Sequence, residues 1–161
     1  MNLKEKASKI KLVATDIDGV WTNGIMYYTE MGDYMKAFST YDGMAVEMLK
    51  KVGIEVIIMT GENSNIVLRR SEKLGIKRIY LGENEKLKRL KYVCADLEID
   101  LEETAYIGDD INDFEVLSAV GLSAMPSSSP ILKQISTDII TQRKGGEGAF
   151  REFVDLILSN R

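Results

Sequence analysis

At 161 residues the chain has room for one domain. It is 45% hydrophobic and 29% charged with a formal net charge of −4, a balance that supports a packed core and excludes both wholesale disorder and a basic nucleic-acid reader. Without histidine and with a single cysteine, Cys94, there is no Ser-His-Asp triad, no nitrogen-ligated zinc and no disulfide framework. In chain order, Ile10 to Thr15 reads as a strand running straight into Asp16-Ile17-Asp18-Gly19. Ile25 to Thr29 and Tyr34 to Phe38 read as a hairpin turning at Glu30-Met31-Gly32-Asp33. Asp42 is placed to cap a helix through Lys51 that stops at Gly53. Glu55 to Thr60 is the second central strand, Ser64 caps a helix ending at Gly75, and Lys77 to Leu81 is a third strand. Asn84 opens a long helix with Leu87, Leu90, Val93, Cys94 and Leu97 on one face. Thr104 to Ile107 is a fourth strand ending in Gly108-Asp109-Asp110. A short helix over Asn112 to Val120, a strand at Leu122 to Met125, a brief helix after Pro130 and a strand at Asp138 to Thr141 follow. The loop Gly145-Gly146-Glu147-Gly148 leads into a closing helix, Ala149 to Leu158.

Strands separated by helices require crossovers, so the sequence predicts one α/β domain: Rossmann-like, doubly wound, with a mostly parallel sheet and a β-hairpin insertion. No apolar run approaches the roughly 18 residues of a membrane span, and the Lys-rich start is followed by too short an apolar stretch for a signal peptide. These features, with the reduced cysteine, place the expected protein in the cytoplasm, off membranes and nucleic acid. In open parallel sheets ligands bind at the carboxyl ends of strands. Those ends carry Asp16 and Asp18, then Thr60, then Asp109, Asp110 and Asp113. So many carboxylates repel unless protons or a cation intervene. An all-oxygen set of this kind suits Mg²⁺. Lys86 is a candidate second cation.

Asp16-Ile17-Asp18-Gly19-Val20-Trp21-Thr22, Thr60-Gly61, Lys86 and Gly108-Asp109-Asp110-Ile111-Asn112-Asp113 resemble the four motifs of the haloacid dehalogenase superfamily of phosphatases. Phe38 to Gly43 and Gly145 to Glu152 look like the branch that dephosphorylates ulosonic acid phosphates. The resemblance implies that Asp16 attacks phosphorus and Asp18 serves as acid and base. It places Mg²⁺ between Asp16, the Asp18 carbonyl and Asp109, with Thr60 and Lys86 on the phosphoryl oxygens. Asp110 and Asp113 would orient water on the metal or Lys86. The sugar-acid phosphate would be met by Asp18, Lys86, Gly61, Asn112 and Arg151, and by Ser39, Thr40, Tyr41, Asp42 and Gly43. The gap from Thr22 to Phe38 leaves room only for the hairpin, so no cap domain is expected. The branch implies a homotetramer joined through residues 25–38, with each site shaped by a neighbour and by a mobile tail over 143–161.

Two branch substrates remain, 3-deoxy-manno-octulosonate-8-phosphate and 2-keto-3-deoxy-nononate-9-phosphate. The octulosonate branch usually has arginine after Thr-Gly, whereas this chain has Glu62. The carboxylate must then find a cation elsewhere, and Arg69, Arg70 and Lys73 share one helix. Glu62 with Lys73 looks like the pair found in the nononate-9-phosphate branch, and that resemblance favours the nine-carbon substrate. A phospho-acceptor signalling domain and a non-catalytic oligomerisation module are the rival classes. The first places its aspartate after the third strand, and the second predicts a decayed site, which the intact Asp16, Asp18, Thr60, Lys86 and Asp109 do not show.

Overall fold

The computed structural model describes residues 1–161. Six strands form one sheet, β1 (Leu12–Thr15), β4 (Glu55–Met59), β5 (Arg78–Tyr80), β6 (Thr104–Ile107), β7 (Leu122–Met125) and β8 (Ile139–Ile140), in the order β5-β4-β1-β6-β7-β8. Every pairing in it is parallel. Strands β2 (Tyr27–Thr29) and β3 (Gly32–Met35) form a separate antiparallel hairpin. Helices α1 (Leu3–Ala7), α2 (Thr40–Lys51), α3 (Asn65–Lys73), α4 (Lys86–Leu97), α5 (Phe114–Ala119) and α6 (Ala149–Ser159) complete the chain. No helix is long and apolar enough to cross a membrane.

Parallel strands are buried on both faces, and β1 is buried throughout. Its alternation sends Val13 into a core shared with α2, α3 and α6, and Leu12 and Ala14 into a second core shared with α4 and α5. Since β1 pairs with β4 on one side and β6 on the other, the strand order reverses at β1. That reversal opens a crevice at the carboxyl ends of β1, β4 and β6.

Several sequence expectations shift. Leu3–Ala7 is helical, closed by a reciprocal cap between Asn2 and Glu5, a signal too short to show as periodicity. Residues after Pro130 form turns rather than a helix. Within the segment 143–161, α6 packs into the core: Ala149, Phe150, Phe153, Val154 and Ile157 are fully buried, and Phe150 stacks on Trp21 at 4.7 Å between ring centroids. Five buried side chains at helical spacing bind this segment to the domain. The hairpin does not fold back onto the domain, because Tyr28, Met31 and Tyr34 are 63%, 90% and 71% exposed. Two polar contacts tie it down, Asp33 beside the turn to the Ser64 hydroxyl and Lys36 at the base to Asp18.

Asp42 does not cap its own helix. Ser39 accepts from the Tyr41 N–H in that role, while Asp42 Oδ1 accepts from the Arg151 N–H in the first turn of α6 at 2.9 Å. Asp42 is fully buried and its Oδ2 has no partner. Burial raises its carboxyl from 3.8 to about 6 against the pull of the Arg151 N–H, Arg143, Arg70 and Arg151. The folded chain therefore holds this proton more tightly than the unfolded chain. Its contribution is complete below about pH 4 and is lost as pH rises through about 6. Asp42→Asn keeps the acceptor for Arg151 and should stabilise the protein at about pH 8, by of order 2–3 kcal/mol at most, with little effect near pH 4. Thermal unfolding at the two pH values checks this; a variant less stable than wild type at the higher pH would show that the arginines, not burial, set the balance.

Candidate active site

Each strand that reaches the crevice is followed within two residues by a polar side chain. Asp16 extends β1 by one residue, its N–H donating to the Ile107 carbonyl at 3.0 Å. Thr60 does the same for β4, donating to Tyr80. Gly108 follows β6 and donates to Ala124 at 3.3 Å, which turns Asp109 inward. Asp16, Asp18, Gly24, Thr60, Gly61, Glu62, Asp109, Asp110 and Asn112 line a cleft of about 220 Å³ with no apolar side chain. A larger hollow of about 360 Å³ lies at the other end of β4, around Lys50, Gly53 and Lys77. It gathers no carboxylate cluster.

Beneath the cleft lies a buried charge network. Lys86, the first residue of α4, is 2% exposed and sits 3.0 Å from Asp16 Oδ2 and 2.6 Å from Asp113 Oδ1. Burial opposes its charge, but the attraction of Asp16 and Asp113 is greater and raises its pKa. Asp113 also accepts from the Tyr106 hydroxyl at 2.5 Å and from the N–H groups of Asp109 and Asp110 at 2.8 and 3.3 Å. Burial, with Asp113 and Asp16 alongside, keeps the Tyr106 phenol well above its ordinary pKa and thus a donor. Asp16 Oδ1 accepts from the Ile17 N–H at 2.8 Å. Asp110 caps the turn Ile111–Asp113 by accepting from the Ile111 N–H.

The backbone must come close for this to assemble. Gly19 has φ +86, and a Cβ there would stand 1.8 Å from Asp109 Oδ2, so the Asp109 carboxylate occupies the space a side chain would take. From the other side, a Cβ on Gly145 would meet the Gly19 carbonyl at 1.9 Å, and the Gly146 N–H donates to Val20. The glycine loop thus packs on the turn after Asp18.

Carboxylate oxygens of Asp16, Asp109 and Asp113 lie within 4.8 Å of one another. Asp113 is already engaged by four donors, which leaves Asp16 and Asp109 as the available ligands. Burial lifts Asp109 to about 8, with Asp16, Asp113 and Asp110 adding to it. Burial and then Asp113 lift Asp16 to about 7 despite Lys86. Three carboxylates face one ammonium. A divalent, oxygen-preferring cation closes that imbalance and holds both raised carboxyls ionised.

The remaining expected contacts divide. Gly61, Glu62 and Asn112 line the cleft with Asp18 and Thr60; Ser39, Thr40, Tyr41, Asp42, Gly43, Arg70, Lys73 and Arg151 do not. Ser39 caps α2, and Tyr41 lies under the Arg143 guanidinium at 5.6 Å. Arg70 is drawn to the Ser39 carbonyl and the Phe38 ring, against Gly43. Arg69 pairs with Glu72, and Arg151 turns along α6 to Asp155. Helical periodicity places these cations on common faces but cannot tell which way a face points. Two partners escaped the sequence reading, Lys36 and Tyr106. Their signal was a lone charge in the run Tyr34 to Phe38 and a hydroxyl in the run Thr104 to Ile107.

Comparison with known proteins bears out the family resemblance. A family described as haloacid dehalogenase-like hydrolase matches residues 79–151. The chain is 39% identical over 160 residues to the 3-deoxy-D-manno-octulosonate 8-phosphate phosphatase of Haemophilus influenzae, covering 97% of this chain and 87% of that protein. The phosphatase of the same name from Moraxella catarrhalis, solved with magnesium, phosphate and a KDO molecule, superposes with a TM-score of 0.93 at 37% identity, covering 99% of this chain and 91% of that one. The Yersinia pestis phosphatase gives a TM-score of 0.92 at 36% identity over 98% and 85% of the two chains.

The buried network has a consequence for stability. Lys86→Met leaves Asp16 and Asp113 as adjacent buried carboxylates and should cost about 3–5 kcal/mol. Lys88→Met, two residues on, breaks only an exposed pair with Glu85 and should cost under about 1 kcal/mol. Denaturant unfolding of the two variants measures the difference, and equal losses would show that Lys86 carries no special load.

Proposed function

The chain belongs to the haloacid dehalogenase-like hydrolases and is a phosphoric monoester hydrolase, and from that premise we propose that its substrate is 3-deoxy-D-manno-octulosonate 8-phosphate, with Mg²⁺ as cofactor. The observation that carries the mechanism is the convergence of Asp16, Asp18, Thr60 and Asp109 in one cleft with Lys86 beneath it. The substrate rests on relatives named for the eight-carbon sugar acid along nearly the whole chain. These outweigh Glu62, the one side chain that favoured the nine-carbon acid, whose expected partner Lys73 stands outside the cleft lining.

In this reading an Asp16 carboxylate oxygen forms a bond to phosphorus as the bond to the sugar oxygen breaks. One hard displacement becomes two easier ones. Asp18 gives its proton to the departing sugar oxygen, then takes one from the water that splits the aspartyl phosphate and releases inorganic phosphate. Thr60 donates its hydroxyl, and Lys86 its charge, to the phosphoryl oxygens. Asp113 and Tyr106 keep the Lys86 ammonium aimed at Asp16. Bound between Asp16, Asp109 and the Asp18 carbonyl, Mg²⁺ would offset the repulsion between the carboxylate and the phosphate dianion.

Asp16→Asn should reduce turnover to background with the fold intact, and chelation should abolish wild-type activity until Mg²⁺ is returned. In a panel of keto-sugar phosphates, kcat/KM should favour the eight-carbon over the nine-carbon acid by roughly tenfold or more, about 1.4 kcal/mol of differential transition-state binding. Preference for the nine-carbon acid would overturn the substrate and leave the chemistry standing.

We propose further that the hairpin joins chains into a homotetramer. Ile25, Tyr27, Tyr28, Met31, Tyr34 and Met35 are all exposed, and a two-stranded hairpin is marginal by itself in water. Sedimentation should show a self-associated species that Tyr28→Asp with Tyr34→Asp dissociates; a wild-type monomer that is fully active would refute it.

A further inference from the structure

Lys36 follows β3 at the base of the hairpin, among residues that face solvent: Tyr34 is 71% and Met35 47% exposed. Its own side chain is 1% exposed and reaches Asp18 Oδ1 at 2.6 Å. Removing an ammonium from water costs several kcal/mol unless a partner compensates, and its ion-pair partner here is Asp18. The second oxygen, Asp18 Oδ2, is buried without a hydrogen-bond partner although Asp18 lines the cleft. One oxygen is held and the other makes no hydrogen bond. A carboxyl group so fastened keeps one orientation at the cleft, whereas an unfastened one turns about its terminal torsion, which is broad and soft. The aspartates of the Asp-x-Asp pair are thus served by different lysines, Asp16 by Lys86 of α4 and Asp18 by Lys36 of the hairpin base.

We propose that Lys36 is a positioning residue for proton transfer, holding Asp18 Oδ1 and so fixing how the Asp18 carboxyl group is turned at the cleft. This rests on the reading of Asp18 as the acid and base. Lys36 acts through Asp18 and touches neither phosphate nor sugar. The preorganisation it supplies matters in proportion to how much protonation the leaving group needs.

The test is a leaving-group series with Mg²⁺: p-nitrophenyl phosphate, phenyl phosphate, a simple sugar phosphate without a carboxylate, and octulosonate 8-phosphate. Lys36→Met, close in length and uncharged, should lose kcat progressively along the aryl-to-sugar series, by roughly a hundredfold on both sugar phosphates and less than about tenfold on p-nitrophenyl phosphate. Lys36→Arg should recover most of the loss, since a guanidinium can hold the same oxygen. Should Lys36→Met fail to fold, Lys36→Gln, which keeps a neutral donor, is read on the same series with the same expected order. Asp18→Asn is run alongside. If Asp18→Asn discriminates between leaving groups and the Lys36 variants lose activity equally on all substrates, Lys36 is only a structural pair and the proposal falls alone. If Asp18→Asn itself loses equally on all substrates, the acid–base reading falls and takes this proposal with it. A loss confined to KM for the carboxylate-bearing substrate would also overturn it, by making Lys36 a substrate-binding cation.

Discussion

The Lys86 ammonium shares a buried volume with Asp16 and Asp113 at the carboxyl ends of β1 and β6. Charges in such a place are tolerated only when every lone pair and proton is answered. The surrounding chain is arranged to answer them. Tyr106 points its hydroxyl from the strand at Asp113, and the turn after β6 folds so that two consecutive N–H groups reach the same carboxylate. With Asp113 thus saturated, the charge left over concentrates on Asp16 and Asp109, which face the cleft.

That residual charge explains the backbone around it. Gly19 leaves room for the Asp109 carboxylate, and Gly145 allows the loop before α6 to lie against the Gly19 carbonyl. The glycine loop can hold that place because α6 is itself core, with Phe150 stacked on Trp21 and Asp42 accepting from its first turn. The end of the chain is in this way a structural part of the turn that carries Asp18. Burying Asp42 to cap a helix across the domain costs charge stability, seen in its raised pKa, and in return fixes where that helix begins.

The hairpin stands apart from this economy. Its sheet is too small to bury its own side chains, and its apolar residues face outward. Its two attachments are both polar, Asp33 beside its turn with Ser64 and Lys36 at its base with Asp18. The second places a group of the cleft in direct contact with the element that would carry any association between chains.

Much of this was legible in the residues alone. Strand–helix alternation requires crossovers, so the parallel doubly wound sheet followed from the pattern. The strand-end positions of Asp16, Asp18, Thr60 and Asp109 followed from local hydrophobic runs that stop at a polar residue. Asp16, Asp18, Thr60 and Asp109 meet in one cleft with Lys86 beneath because these signals are short-range and the sheet's topology brings strand ends together. The residues that sequence placed around the sugar behaved differently. Asp42 caps α6, Arg70 goes to the Ser39 carbonyl, Arg151 goes to Asp155, and Lys36, unsuspected, goes to Asp18. Apart from the pair of Arg151 with Asp155 along one helix, these outcomes depend on which helix face or hairpin edge meets which neighbour, with partners 109, 31 and 18 residues away. A period along the chain says that side chains share a face; only the packed domain decides what that face meets, because burial and pairing energies belong to contacts between elements and not to any one of them.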